Sequence, residues 1–237
     1  MSHVHRFFVE NDAVNEHGAT LTGQEAHHAL HVVRVRPGDS VLLFNGSGSE
    51  WQASVADVSR HAVQLAVSDM RVLPRPKESL TLFQAWLHRE KALEELIRHA
   101  AELGVARIVF FRSTHSERAP KLSDKWRRTA IEAGKQSGRL WLPHFDVAAS
   151  LEDAIGMAQG VLLLATRDVQ PVPLLDALTS PVVSMFIGPE GDFTESEIAR
   201  LLEAHAKPIS LGDATYRAEV AATIAATLVL YELGLMR

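Results

Sequence analysis

Apolar and polar residues alternate with a period of two over residues 51–58 and 62–67, whereas Leu93, Leu96, Ile97 and Ala100 recur at helical spacing within residues 90–103. The first rhythm predicts half-buried strands and the second an amphipathic helix. Val41-Leu42-Leu43-Phe44 runs into the turn cluster Asn45-Gly46-Ser47-Gly48 and predicts another strand, and a helical patch at residues 23–33 interrupts the β text. A small β-barrel of ~70 residues accounts for this stretch. Pro74-Arg75-Pro76-Lys77 removes two backbone donors and reads as a linker. Beyond it the rhythm changes. Strands are predicted at 80–86, 107–111, 161–165, 182–187 and 208–211, and helices at 90–103 (with Gly104 as its cap), 123–136, 194–204 and 216–233. Strands and helices in turn imply a mostly parallel sheet covered on both faces, so the chain is predicted to divide into residues 1–73 and 74–237.

Composition adds exclusions. The 237 residues are 46% hydrophobic and 22% charged, an ordinary globular mixture. Cysteine is absent, which excludes disulfides, thiolate metal sites and a cysteine nucleophile, and fits a reducing compartment. The start Met-Ser-His-Val-His-Arg is polar with no apolar run after it, and residues 220–231 are too short to span a bilayer, so a cytoplasmic protein with no membrane partner is expected. Twelve histidines do not assemble: His27, His28 and His31 lack the glutamate of a metalloprotease helix, and His3 and His5 alternate as on a strand. No metal is expected.

A net charge of -5 seems to argue against a nucleic-acid partner, but the charge is segregated. Residues 74–145 carry +6 and residues 146–237 carry -8. Within the former, residues 112–139 hold +5. Such a block suits phosphates through counterion release, although a solvated basic helix face would read the same way.

Two strand–loop–helix junctions carry candidate chemistry. Gly188-Pro189-Glu190-Gly191-Asp192 lies between a strand and a helix whose capping box is Thr194 with Glu197. Its glycines permit positive φ and close approach of a ligand at the carboxyl end of a strand, as an ordinary tight turn also would. Glu190 would repel phosphate and suits a neutral or cationic ligand. The second junction, Leu211-Gly212-Asp213-Ala214-Thr215-Tyr216-Arg217-Ala218-Glu219, places Arg217 and Glu219 in the first turn of an apolar helix. The helix dipole explains Glu219 but not Arg217.

Taken in order, Arg6-Phe7-Phe8, His28 to Arg34 with Pro37-Gly38-Asp39, Ala101-Glu102-Leu103-Gly104-Val105, Ser116-Glu117-Arg118, Trp126 through Glu132 to Gln136-Ser137-Gly138-Arg139 with Pro143, Gly188-Pro189-Glu190-Gly191, and Leu211-Gly212 followed by Arg217 and Glu219 resemble the RsmE family across nearly the whole chain. Those enzymes methylate N3 of a uridine in bacterial 16S ribosomal RNA with S-adenosylmethionine. The resemblance implies an α/β fold: a PUA-like β-barrel for RNA binding (1–73), then a SPOUT methyltransferase domain (74–237) with a carboxyl-terminal deep trefoil knot, working as a homodimer. It implies that Gly188, Pro189, Glu190, Gly191, Leu211, Gly212 and Tyr216 line the cofactor pocket, with Ala165 and Thr166 after the 161–165 strand. It departs from the family pattern at Asp192, where a second glycine is usual, at Ala218 and Val220, where threonines are usual, and at His99, often a lysine. On this reading Glu219 or a nearby group accepts the N3 proton and Arg217 stabilises charge on the uracil oxygens, Glu190 orients the cofactor, and Arg6, Arg34, Arg118, Arg127 and Arg139 contact RNA phosphates. The alternatives are a non-catalytic RNA-binding or ribosome-assembly factor on the same fold, and a SPOUT enzyme with another nucleotide target.

Overall fold

A computed structural model of the chain describes residues 4–15 and 18–236. Two compact units result. The first comprises residues 1–75 together with 134–141, the second residues 76–133 and 142–237.

The first unit is built on a six-stranded sheet of β1 (His5–Phe8), β2 (Val14–Asn15), β3 (Gly18–Leu21), β4 (Ser40–Phe44), β5 (Ser49–Val58) and β6 (Val63–Val72), in the order β1-β4-β5-β6-β3-β2. β1 and β4 pair in parallel and the other neighbours are antiparallel. His5 opens β1, and His3 lies outside the described residues. Period-two alternation does what it predicts: Trp51, Ala53 and Val55 are buried while Gln52 and Ser54 face water. A short helix, α1 (Gly23–His27), widens into a π-helical turn (His28–Val33) that stops at Arg34, whose φ of 62° is left-handed. Phe7, Leu21, Leu43 and Val63 centre the core.

Residues 134–141 belong here for identifiable reasons. The Lys135 ammonium is buried and donates to Glu25 Oε1 at 3.0 Å and His28 Nδ1 at 3.2 Å, and the other Glu25 oxygen accepts the Phe8 amide at 3.0 Å. Trp141 donates its indole N–H to the Leu73 carbonyl, and a Cβ on Gly48 (φ 94°) would stand 2.6 Å from both that carbonyl and the Trp141 ring. Glycine is therefore required at 48 by both conformation and space.

The second unit contains β7 (Ser79–Ala85), α2 (Glu90–Leu103), β8 (Arg107–Phe111), α3 (Asp124–Ser137, its last residues counted in the first unit), β9 (His144–Ala148), α4 (Leu151–Met157), β10 (Val161–Ala165), α5 (Leu174–Ala177), β11 (Val182–Ile187), α6 (Glu195–Glu203), β12 (Lys207–Ile209) and α7 (Ala218–Glu232). All its strands are parallel, ordered β12-β10-β11-β7-β8-β9. Both faces of its inner strands are covered, which is why β7, β8, β10 and β11 are mostly apolar. Leu80, Leu82, Ile108, Phe110, Val183 and Met185 pack on one face with residues of α2, α3 and α7. Phe83, Val109, Phe111 and Phe186 pack on the other with residues of α4 and α6. Each such side chain contributes about 2–3 kcal/mol of burial.

Helix ends refine the sequence reading. α2 spans 90–103 as predicted and Gly104 closes it at φ 91°. Thr194 is the cap of α6 rather than its first residue, and its capping box with Glu197 is complete. α7 begins at Ala218, two residues later than predicted, because Tyr216 is non-helical and Arg217 is extended (φ -65°, ψ 150°) as its cap. This corrects the placement of Arg217 in the first turn: it belongs to the preceding loop, while Glu219 is in the helix.

Candidate active site

At the carboxyl ends of β10, β11 and β12, three loops of the second unit converge on a cavity of about 410 Å³. Parallel sheets bind ligands at this edge, where helix and strand ends leave backbone groups unpaired. Ala165 and Thr166 line it from the first loop, Gly188, Pro189 and Glu190 from the second, and Leu211, Gly212 and Tyr216 from the third. Of the expected pocket residues only Gly191 is not in the lining. It instead packs so closely that a Cβ there would meet the His115 ring at 3.2 Å.

The second loop is rigidly defined. Gln84, fully buried on β7, donates its amide to the Gly188 carbonyl at 3.0 Å, and the Asp192 amide donates to the Pro189 carbonyl. The Glu190 carboxylate accepts the His88 amide at 3.1 and 3.3 Å. Asp192 adopts φ 60°, the region glycine favours, and its side chain accepts the Phe193 amide at 2.8 Å. Aspartate is among the few residues that tolerate this conformation, which accounts for its standing where glycine is expected. Behind the loop, Glu197 accepts the Thr114 amide at 2.7 Å and the Thr194 amide at 2.9 Å. Burial alone would raise its carboxyl, but the bonds from Thr194 and Thr114 outweigh this and hold its pKa below the ordinary value.

The two expected catalytic residues differ in setting. Arg217 is exposed and lines the cavity, and its guanidinium has no hydrogen-bond or ion-pair partner among the described residues. Glu219 is buried and does not line the cavity. Its Oε1 accepts Arg89 Nη2 at 3.0 Å, and its Oε2 has no partner among the described residues. Arg89, at the cap of α2, escaped the sequence reading because a lone arginine before a helix carries no signal. Arg167, Asp192, Ala214, Thr215, Ala218 and Ala221 also line the cavity and were not anticipated as pocket residues. Arg167 donates to the Thr215 hydroxyl across the cavity mouth.

The expected phosphate contacts fall in different places. In the first unit Arg34 is exposed and Arg139 half-buried, while Arg6 is largely buried, paired with Glu50 and set over the Phe44 ring at 5.9 Å. Glu50 also takes Arg71 at 2.8 Å. In the second unit Arg118 and Arg127 are exposed, and the Arg118 guanidinium lies 5.9 Å from the Trp86 ring centre. Lys125 of the basic block is bonded to Glu90 and Glu94, and that contact lowers the Glu90 pKa and raises that of Lys125. No group of three or more metal-ligating side chains occurs among the described residues. None of their helices is long and apolar enough to cross a membrane.

The cavity fits S-adenosylmethionine on its chemistry. Its volume falls in the range of roughly 300–1,000 Å³ usual for small-molecule sites. Ile187, Leu211, Ala218 and Ala221 give apolar surface for a purine, backbone at Gly188 and Gly212 allows close approach, and Glu190 supplies an anion for a cationic ligand.

Comparison with known proteins bears on the same residues. The family model described as RNA methyltransferase domain matches residues 74–230, and that described as RNA methyltransferase PUA domain matches residues 21–68. The chain is 32% identical over 234 residues to ribosomal RNA small subunit methyltransferase E of Synechocystis, covering 93% of this chain and 75% of that protein. Its fold is similar to a probable rRNA-methyltransferase from Porphyromonas gingivalis (TM-score 0.87, 27% identity, 99% and 100% of the two chains). It also matches ribosomal RNA small subunit methyltransferase E from Neisseria gonorrhoeae bound to S-adenosyl methionine (TM-score 0.84, 24% identity, 97% and 98%). A parallel α/β unit with its cavity at the strand ends, a separate PUA-type sheet and these matches together place the chain in the RNA methyltransferase domain family, among the ribosomal RNA small subunit methyltransferase E proteins.

Proposed function

We propose that the protein methylates N3 of a uridine in 16S ribosomal RNA, with S-adenosylmethionine held in the cavity at the ends of β10, β11 and β12. The observation that carries this reading is Arg217: an unpaired guanidinium on the wall of a cavity whose remaining surface suits a purine and a cation. The cofactor, when bound, supplies an electrophilic methyl on a positively charged sulfur. The chain does the rest. Uridine N3 is occupied in a duplex, so the base must be presented unpaired. N3 must lose its proton before it attacks, and negative charge then spreads onto the flanking carbonyl oxygens, where Arg217 stabilises it. Glu219 or a nearby group accepts the proton on this reading; Glu219 is buried outside the cavity lining, with one oxygen on Arg89 and Oε2 unpartnered among the described residues. The loops bring the reactants into line, which supplies much of the rate without further chemistry.

The remaining finer features belong to the same proposal. Residues 1–73 act as the RNA-binding portion and 74–237 as the methyl-transfer portion. After the edge strand β12, α7 returns past β10 to pack on β11 and β7, a route that suits the trefoil knot. Val220, Leu228 and Tyr231 form an exposed apolar stripe on α7, which supports a homodimer, and the reaction takes place in the cytoplasm. Arg217→Ala is expected to lower methyl transfer by ~10²–10³-fold, while calorimetry finds cofactor affinity within about threefold of wild type, a difference of under ~1 kcal/mol. Unaltered turnover in that variant removes Arg217 from the reaction. Mass spectrometry of small-subunit RNA from cells lacking the protein tests the target: 3-methyluridine disappears if the reading holds, and its persistence refutes it.

A further inference from the structure

We infer that Arg167 grips a phosphodiester of the RNA strand beside the target nucleotide, so that the mouth of the cofactor cavity is also a backbone-binding site. The inference rests on the methyl-transfer reading above. Arg167 stands two residues past the end of β10, exposed at the rim of the cavity. Its loop is anchored on both sides: the Thr166 amide donates to the Ile209 carbonyl at 3.3 Å, and the Thr166 hydroxyl accepts the Asp168 amide at 3.2 Å. One guanidinium nitrogen, Nη1, donates to the Thr215 hydroxyl, which ties the loop after β10 to the loop before α7. A guanidinium has five N–H donors, so most of its fork stays available and is already aimed by the threonine.

Charge decides what the fork receives. Asp168 is the next residue and Asp213 lies on the facing loop, yet neither is ion-paired with Arg167 or with Arg217 among the described residues. Two guanidiniums without an ion-pair partner among the described residues therefore share one cavity lining with two carboxylates, Glu190 and Asp192. With Glu190 and Asp192 offsetting the two arginines, a cofactor of net positive charge leaves the mouth positive, and a further anion joins it favourably. RNA brings that anion with every nucleotide. A cavity of about 410 Å³ is of the size usual for one small-molecule ligand, and the RNA strand would run along its rim, where Arg167 sits. Arginine suits this role better than lysine because its planar fork matches two phosphate oxygens at once.

The test uses the full chain with Arg167→Ala, Arg167→Lys and Thr215→Val. RNA affinity is measured against salt with small-subunit RNA alone, and cofactor affinity separately by calorimetry. Arg167→Ala is expected to make the log–log salt dependence shallower by about one phosphate contact and to raise the KM for RNA about tenfold, with cofactor affinity changed less than about twofold. Arg167→Lys keeps the salt slope but recovers only part of the KM, and Thr215→Val raises the KM by a smaller factor. An unchanged salt slope and KM in Arg167→Ala overturn the inference, as does weakened cofactor binding with unchanged RNA affinity, which would assign Arg167 to the cofactor's carboxylate. Because the salt slope needs no turnover, it reads the phosphate contact even if the wild-type protein fails to methylate. That second failure would count against the proposed reaction instead.

Discussion

The largely buried carboxylate of Glu25 and the buried one of Glu219 each pair with a cation, yet they are finished differently. In the first unit both Glu25 oxygens are used, one by Lys135 and one by the Phe8 amide, and Lys135 also reaches His28. In the second unit Glu219 has one oxygen on Arg89, itself half-exposed, and the other on nothing among the described residues. A buried polar atom without a partner costs about 1–3 kcal/mol. A satisfied network fixes structure, so the same composition of charges does different work in the two places. The missing partner at Glu219 is a deficit one residue along from Ala218, which lines the cavity.

The largest effect should come from breaking the finished network. Lys135→Met leaves the largely buried Glu25 carboxylate without its cation and should cost about 2–3 kcal/mol in denaturant unfolding, while Lys135→Met with Glu25→Leu should recover most of it. Specific activity of the folded fraction should hold. Glu219→Gln should do the opposite, with stability within about 1 kcal/mol of wild type and methyl transfer down at least tenfold, measured by radiolabelled methyl incorporation. If Glu219→Gln unfolds the protein as severely as Lys135→Met while keeping its activity, the contrast is lost.

Glu197 extends the comparison to a carboxylate satisfied entirely by uncharged donors. Its folded pKa lies below the ordinary value of 4.5, so the unfolded chain binds more protons in acid and stability falls as pH drops through the folded pKa. Glu197→Gln should flatten that acid slope and cost about 1–2 kcal/mol at pH 7, since an amide presents a donor to donors. The smallest effect is expected at the exposed Glu152–Arg200 pair. There Glu152→Gln should change unfolding free energy by less than about 0.5 kcal/mol. A large effect would mean that pairing rather than burial sets the scale.

Much of this architecture is readable from the residue pattern because its physical causes are local. Residues 90–103 carry an unambiguous helical period and end at a glycine, and α2 appears there without a residue's error. The strand His144–Ala148 escaped notice because it is an edge strand whose side chains are mostly half-buried, so it carries neither alternation nor an apolar run. The helices Leu151–Met157 and Leu174–Ala177 are too short for a period to show. Eight of the nine expected pocket residues line the cavity, since glycine loops at strand ends leave a local trace. Arg167, Thr215 and Arg89 left none. Their importance comes from contacts spanning 48 residues for Arg167–Thr215 and 130 for Arg89–Glu219, separations at which one sequence holds no record of proximity.

The first unit is discontinuous: residues 134–141 complete it with Lys135, the Leu140 carbonyl that accepts the Gly48 amide, and the Trp141 indole. During synthesis, which runs at about 5–20 residues per second, domains tend to fold amino-terminal first. Lys135 is made 110 residues after Glu25, so at that rate the Glu25 carboxylate spends several seconds of each round of translation without its cation.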